Sequence, residues 1–184
     1  MAKQHGPWKI TSSEIKYKNP WMEVREDKVI QPNGENGIYG TVKIGSGAAT
    51  LALDSEGFVH LTREFHYGVG IETIEGAIGG MHKGETPLEA AKRELKEELG
   101  ITASQWTPLG FVESLTSYAK CPVHLFLARQ LKFTAPKLDA TETIKPLKVK
   151  FETAVNMVMN GEIIASQTCA LILKANEYLK RHKQ

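Results

Sequence analysis

Three glutamates carry the first chemistry this sequence offers. Glu94, Glu97 and Glu98 stand at i, i+3 and i+4, so on a helix they gather on one side, with the small Ala90 one turn before Glu94. Like charges at those spacings repel by about a few tenths of a kcal/mol per pair even in water. Their hard oxygens suit Mg2+ or Mn2+, ions that bind through one or two carboxylates plus the phosphate oxygens of a substrate. A solvated acidic helix face is the alternative reading of the same three residues.

The flanking residues say that a helix is there. Thr86-Pro87-Leu88-Glu89 spells a capping box with proline at the first helical position, and Gly100 stands where a left-handed C-terminal residue is wanted. The spacing therefore predicts a helix from Pro87 to Leu99, with Leu88, Ala91, Leu95 and Leu99 on its packing face. The glycine-rich loop before it lets backbone and ligand approach closely beside the helix N-terminus.

Loop and helix together match a known pattern. Gly79, Glu85, Arg93, Glu94, Leu95, Glu97, Glu98, Gly100 and Ile101 fill every fixed position of the Nudix box, G-x5-E-x7-R-E-U-x-E-E-x-G-U, where U is a bulky aliphatic. The sequence resembles the Nudix hydrolases. Over most of the chain it is similar to their ADP-ribose pyrophosphatase and nucleotide-sugar hydrolase branch. The residues that carry this are Tyr17-x-x-Pro20-Trp21, Pro32-x-Gly34, Ala52-Leu53-Asp54, Arg63-Glu64-Phe65-His66-Tyr67, Glu75 before Gly79, and the run ending at Arg129.

That resemblance implies an α/β fold, the Nudix α/β/α sandwich with a mixed sheet, plus a small N-terminal antiparallel β unit. It implies hydrolysis of a nucleoside diphosphate linked to a sugar or ribose, with Mg2+ or Mn2+. Glu94 and Glu98 take the place of the principal metal ligands, with Glu97 completing the cluster and the Ile78 carbonyl adding a further ligand. Arg93 and Glu85 form an orienting pair, for which an ordinary structural ion pair is the alternative. Gly79, Glu85 and Gly100 are the structural residues of the box. Glu97 or Glu142 would take the proton from the attacking water. Arg63, His66, Trp21 and Tyr118 are the candidate substrate contacts, with packing the alternative for Trp21 and for Trp8.

Departures from the branch bear on specificity. His66 stands where arginine is usual, Ala140 where an acid two residues before Glu142 is usual, and Ser117 where a proline accompanies ADP-ribose preference. Another Nudix substrate (a dinucleotide cofactor, an oxidised nucleoside triphosphate or a capped RNA end) or a non-catalytic ADP-ribose sensor are the competing functions. An intact set of box carboxylates disfavours the sensor.

The elements that must position these residues are legible in outline. The 184 residues, 41% of them hydrophobic, can bury a core, and a net charge of +2 calls for neither a nucleic-acid nor a membrane surface. The polar N-terminus and the lack of any long apolar run place the protein in the cytoplasm. Cys121 and Cys169 fit no metal or redox spacing and read as reduced thiols. Residues 1–47 read as an N-terminal β unit with strands over Glu23–Ile30 and Ile38–Ile44; the resemblance implies that it dimerises or is exchanged between subunits of a homodimer. Residues 48–184 read as the hydrolase domain. There, Ala49–Leu53 and Phe58–Phe65 form a hairpin, and Gly70–Ala77 is a further strand. Thr107–Glu113, Val123–Arg129 and Ile144–Phe151 are strands after the helix, and Phe151–Asn160 and Ser166–Arg181 are helices.

Overall fold

The computed structural model describes residues 2–137 and 143–182. In chain order the first strands are β1 (Lys3–His5), β2 (Trp8–Lys18), β3 (Met22–Ile30), β4 (Asn36–Ile44), β5 (Gly47–Leu53), β6 (Phe58–His66), β7 (Ile71–Glu75) and β8 (Ala77–Gly80). There follow α1 (Pro87–Leu99), β9 (Ile101–Glu113), β10 (Ala119–Lys120), β11 (Pro122–Phe133), β12 (Lys145–Lys150), α2 (Phe151–Met159) and α3 (Ser166–Arg181). They fall into two compact units: Met1–Gly45 with Glu113–Pro122, and Ser46–Val112 with Val123–Gln184. Among the described residues no helix is long and apolar enough to cross a membrane.

The first unit is a five-stranded sheet in the order β1-β2-β3-β4-β10. β1 and β2 were not foreseen from sequence. Most of their side chains are exposed, so the hydrophobic alternation that reveals a half-buried strand is missing. β10 is equally unforeseen: the loop after the box returns to lie parallel to β4, with Ala119 opposite Val42, and the Val42 N–H donates to the Tyr118 carbonyl at 2.7 Å.

The second unit is the expected α/β/α sandwich on a mixed sheet, ordered β12-β6-β5-β11-β9, with β7 added to β6 and β8 to β5. β5 and β11 run parallel and the other registered pairs are antiparallel. The two-residue period of the central strands decides which helices they meet. Ala49, Leu51, Leu125 and Leu127 join a core with Ala154 and Met157 of α2 and Leu171, Ile172 and Ala175 of α3. Ala48, Ala52, Phe126 and Ala128 point the other way, into the clusters holding Ala90, Ala91 and Leu95 of α1. Burying Leu95 fully contributes about 2 kcal/mol.

The helix ends are as the sequence predicts. The Glu89 N–H donates to Thr86 Oγ1 at 3.3 Å, and Glu89 Oε2 accepts from the Thr86 N–H at 2.8 Å. Gly100 is left-handed, φ 63°, and a Cβ there would lie 2.2 Å from the Thr134 carbonyl oxygen. Strand Gly70–Ala77 is instead two strands, broken at Gly76, where a Cβ would stand 2.7 Å from the Thr50 carbonyl oxygen. Both cysteines are free.

Candidate active site

The acidic residues of α1 do not form a solvated face. Ala90, Glu94 and Glu98 follow one another at every fourth residue and are all buried, Glu94 to 8% and Glu98 to 6% exposure. Burying two carboxylates is costly unless cations or donors compensate them. Glu97, one position round the helix, keeps its side chain 42% exposed.

β8 makes room for the stripe. It pairs with β5, Gly79 opposite Ala48 and Ile78 opposite Ala49, and α1 packs against both strands. A Cβ at Gly79 would sit 1.9 Å from both Cδ and Oε1 of Glu94, so only glycine leaves that carboxylate its space.

Arg93 ties loop and stripe together. Its Nε donates to Glu85 Oε1 at 2.9 Å and its Nη2 to Glu85 Oε2 at 3.0 Å, a two-edged pairing. Nη2 also donates to the Gly80 carbonyl at 2.8 Å, while Nη1 reaches Glu94 Oε1 at 2.6 Å and Glu97 Oε2 at 3.1 Å. Glu85 Oε2 in turn accepts the His82 N–H at 2.8 Å. The Arg93 guanidinium and then the His82 N–H hold the Glu85 carboxyl down at about 2, and the Glu85 contacts drive the Arg93 pKa upward.

The donor set suits a hard divalent cation. Two buried carboxylates stand on one helical stripe beside a glycine cradle that a Cβ would fill, with a third carboxylate adjoining. Among the described residues no three His, Cys, Asp or Glu side chains already converge on one point. Arg93 Nη1 instead supplies counter-charge to Glu94 and Glu97, on the oxygens that a cation would compete for.

The structure thus brings together Gly79, Glu85, Arg93, Glu94 and Glu97, with Glu98 on the same buried stripe. Arg63 and His66 lie on β6, opposite Ile74 and Ile71 of β7. Arg63 is exposed, and His66 Nε2 is 2.9 Å from Glu75 Oε1, which also accepts from Thr73 Oγ1 at 2.6 Å. Trp21 and Tyr118 belong to the first unit. Trp21 is 76% exposed, in a turn where its N–H donates to Asn19 Oδ1 at 2.9 Å, so packing does not account for it. Tyr118 is 66% exposed and borders a cavity of about 610 Å3 with Trp8, Arg25, Tyr39 and Lys43. Trp8 packs edge-on against Tyr39, with ring centroids 5.4 Å apart. Glu142 and Ala140 lie outside the described residues. Sequence reasoning missed the Gly80 carbonyl and the His82 N–H because backbone groups carry no residue-type signal.

Comparisons with known proteins give the family. The family model described as the NUDIX domain matches residues 43–154, and that of the nucleoside diphosphate sugar hydrolase N-terminal domain matches residues 8–42. An ADP-ribose pyrophosphatase of Bacillus subtilis (strain 168) is 29% identical over 95% of this chain and 97% of its own. Another ADP-ribose pyrophosphatase, from Mycobacterium tuberculosis (strain ATCC 25618 / H37Rv), is 27% identical over 88% of this chain and 80% of its own. A crystal structure of an ADP compounds hydrolase has the same fold, with a TM-score of 0.84 over 97% of both chains at 20% identity. The chain belongs to the Nudix family of pyrophosphohydrolases, in its ADP-ribose pyrophosphatase and nucleoside diphosphate-sugar hydrolase branch.

Proposed function

We propose that this enzyme hydrolyses the diphosphate bond of a nucleoside diphosphate joined to a sugar, with ADP-ribose as the leading substrate, releasing a nucleoside monophosphate and a sugar phosphate. The observation that carries the reading is the buried Glu94–Glu98 stripe held against Gly79 by the Arg93–Glu85 clamp. The ADP-ribose pyrophosphatases among its relatives support the substrate class.

In this reading Glu94, Glu97 and Glu98, with the Ile78 carbonyl, hold Mg2+ or Mn2+. When bound, the cation neutralises diphosphate charge and lowers the pKa of the attacking water. The protein's own residues do the rest. Glu85 keeps Arg93 from swinging away, and Arg93 keeps the loop over the helix. Glu97, the most exposed carboxylate of the three, accepts the water's proton as the new P–O bond forms and the bridging P–O bond breaks; Glu142 is the other candidate base. His66, oriented by Glu75, offers its second ring nitrogen to a phosphate oxygen, and Arg63 adds positive charge. Trp21 supplies a flat apolar surface for a base, and Tyr118 a further substrate contact.

The N-terminal β unit serves as a dimerising element in the same proposal. Ile15, Tyr17, Trp21 and Ile38 leave apolar surface exposed on it, and sedimentation showing only monomer would remove this part. Its partners are small nucleotides in the cytoplasm rather than nucleic acid or membrane. The test is hydrolysis of ADP-ribose, GDP-mannose, UDP-glucose, a dinucleotide cofactor and a nucleoside triphosphate with Mg2+ or Mn2+, each against an EDTA control. Preference for one diphosphate sugar, abolished by EDTA, is the expected result. Inertness towards all five while ADP-ribose still raises the melting temperature would replace the enzyme with a sensor.

A further inference from the structure

A second cavity, of about 320 Å3, opens at the Leu53 end of β5, whereas Gly79, the glycine beside Glu94, pairs with Ala48 near the start of that strand. β5 runs six residue steps from Gly47, which pairs with Gly80, to Leu53 at the cavity wall, or roughly 20 Å. The polar lining comes from Asp54 and Ser55 after β5, Gln105 of β9, and Arg129 and Gln130 of β11; Phe133 is among its apolar walls.

Arg129 is the unexplained group. Among the described residues nothing bonds to its guanidinium, and its buried Nε is the one buried side-chain N or O atom left without a hydrogen-bond partner. Natural proteins seldom leave such a donor unpaired, because its desolvation is uncompensated. The next residue is equally unusual. Gln130 has φ 56°, the one positive φ outside glycine among the described residues, where a side chain costs about 1–2 kcal/mol. The ladder with β5 stops just before, at Ala128 opposite Ala52, and Ser104 Oγ donating to Gln130 Oε1 at 2.6 Å fastens the kink. Strained backbone that the surroundings hold in place is characteristic of ligand sites.

The acid in the wall does not serve Arg129. Asp54 Oδ1 accepts the N–H groups of Glu56 and Phe58, and Oδ2 meets His60 Nε2 and Lys148 Nζ, each at 3.1 Å. Burial pushes its pKa up, but these contacts outweigh burial and hold it at about 2. Its negative charge is therefore answered by Lys148, and the positive charge of Arg129 is left over.

We propose that this cavity is a second small-ligand site, taking a compact molecule that carries an oxyanion, phosphate or carboxylate, on the Arg129 guanidinium. A guanidinium presents paired donors in the plane that such anions match. Ser55 and Gln105 add donors, and the 58% exposed Phe133 gives the ligand body an apolar wall. The volume is near the lower limit for small-molecule sites, which favours a single compact ligand over a dinucleotide.

The experiment titrates the 15N-labelled full-length protein, in EDTA, with inorganic phosphate and separately with acetate, following the Arg129 Nε–H signal assigned from Arg129→Met. A saturable shift of that signal is expected with at least one anion, and which one produces it tells phosphate from carboxylate recognition. Arg129→Met should weaken the same binding by about 10- to 100-fold in calorimetry. Should that variant not fold, Arg129→Lys keeps the charge, loses the paired donors and should weaken binding in the same direction. An Arg129 signal indifferent to both anions at millimolar concentrations, or unaltered affinity in a folded variant, overturns the proposal.

Discussion

Gly79→Ala tests the geometry on which the catalytic reading rests. The added methyl would lie 1.9 Å from Glu94 Oε1 and Cδ, where ordinary contact begins near 3.4 Å, so carboxylate or strand must give way by about 1.5 Å. The carboxylate is the softer of the two, being the end of a flexible side chain. Moving it forfeits the 2.6 Å bond from Arg93 Nη1, worth about 1.5–3 kcal/mol as a charged hydrogen bond, and can leave Glu94 off-rotamer at about 0.5–1.5 kcal/mol. A total of roughly 2–4 kcal/mol corresponds to a fall in Tm of about 5–15 °C for a chain of this length. If Glu94 holds the metal as proposed, displacing its carboxylate by more than 1 Å should also lower kcat about 100-fold or more. Thermal denaturation and a phosphatase-coupled phosphate-release assay read the two effects. Gly80→Ala is the control, because a Cβ there meets nothing within 4 Å. If Gly79→Ala keeps the Tm and turnover of the Gly80→Ala protein, the cradle argument is wrong.

Glu98→Gln should lower kcat by orders of magnitude, with circular dichroism unchanged, since it removes one buried charge while keeping the shape; near-native turnover would take Glu98 out of the site. Glu85→Gln should lower stability by about 1–2 kcal/mol at pH 7. The Glu85 pKa is depressed from 4.5 to about 2 on folding, so this contribution is fully present above 4.5 and is lost as pH falls through 2. Urea denaturation of both proteins at several pH values should therefore show the gap closing towards pH 2, and a pH-independent gap would refute the clamp. Gly100→Ala puts a Cβ 2.2 Å from the Thr134 carbonyl oxygen at φ 63°, where backbone rather than a side-chain end must move. A loss of about 3 kcal/mol or more in chemical denaturation is expected, and a loss under 1 kcal/mol would mean that the Thr134 segment is not held there.

What the sequence determined by itself is local and periodic. Thr86, Pro87, Glu89 and Gly100 set the limits of α1 because caps act within one turn of the chain. The Nudix box named the family because its fixed positions follow one another in a single short stretch, from Gly79 at the end of β8 through the loop and α1 to Ile101 at the start of β9. The order of strand and helix segments, with the resemblance, pointed to a sandwich. The tertiary structure decided what covers each face, since that depends on residues distant in sequence. The periodicity that groups Glu94 and Glu98 with Ala90 is the same for a wet stripe or a buried one; β8 lying over it at Gly79 makes it buried. Strands β1 and β2 were invisible because their pairing rests on backbone hydrogen bonds, which side-chain patterning does not encode when few side chains are buried. The same holds for the Gly80 carbonyl and His82 N–H that complete the clamp, and for the Gln130 kink beside Arg129. Residue type places charge along the chain, but only the fold decides which charges are answered.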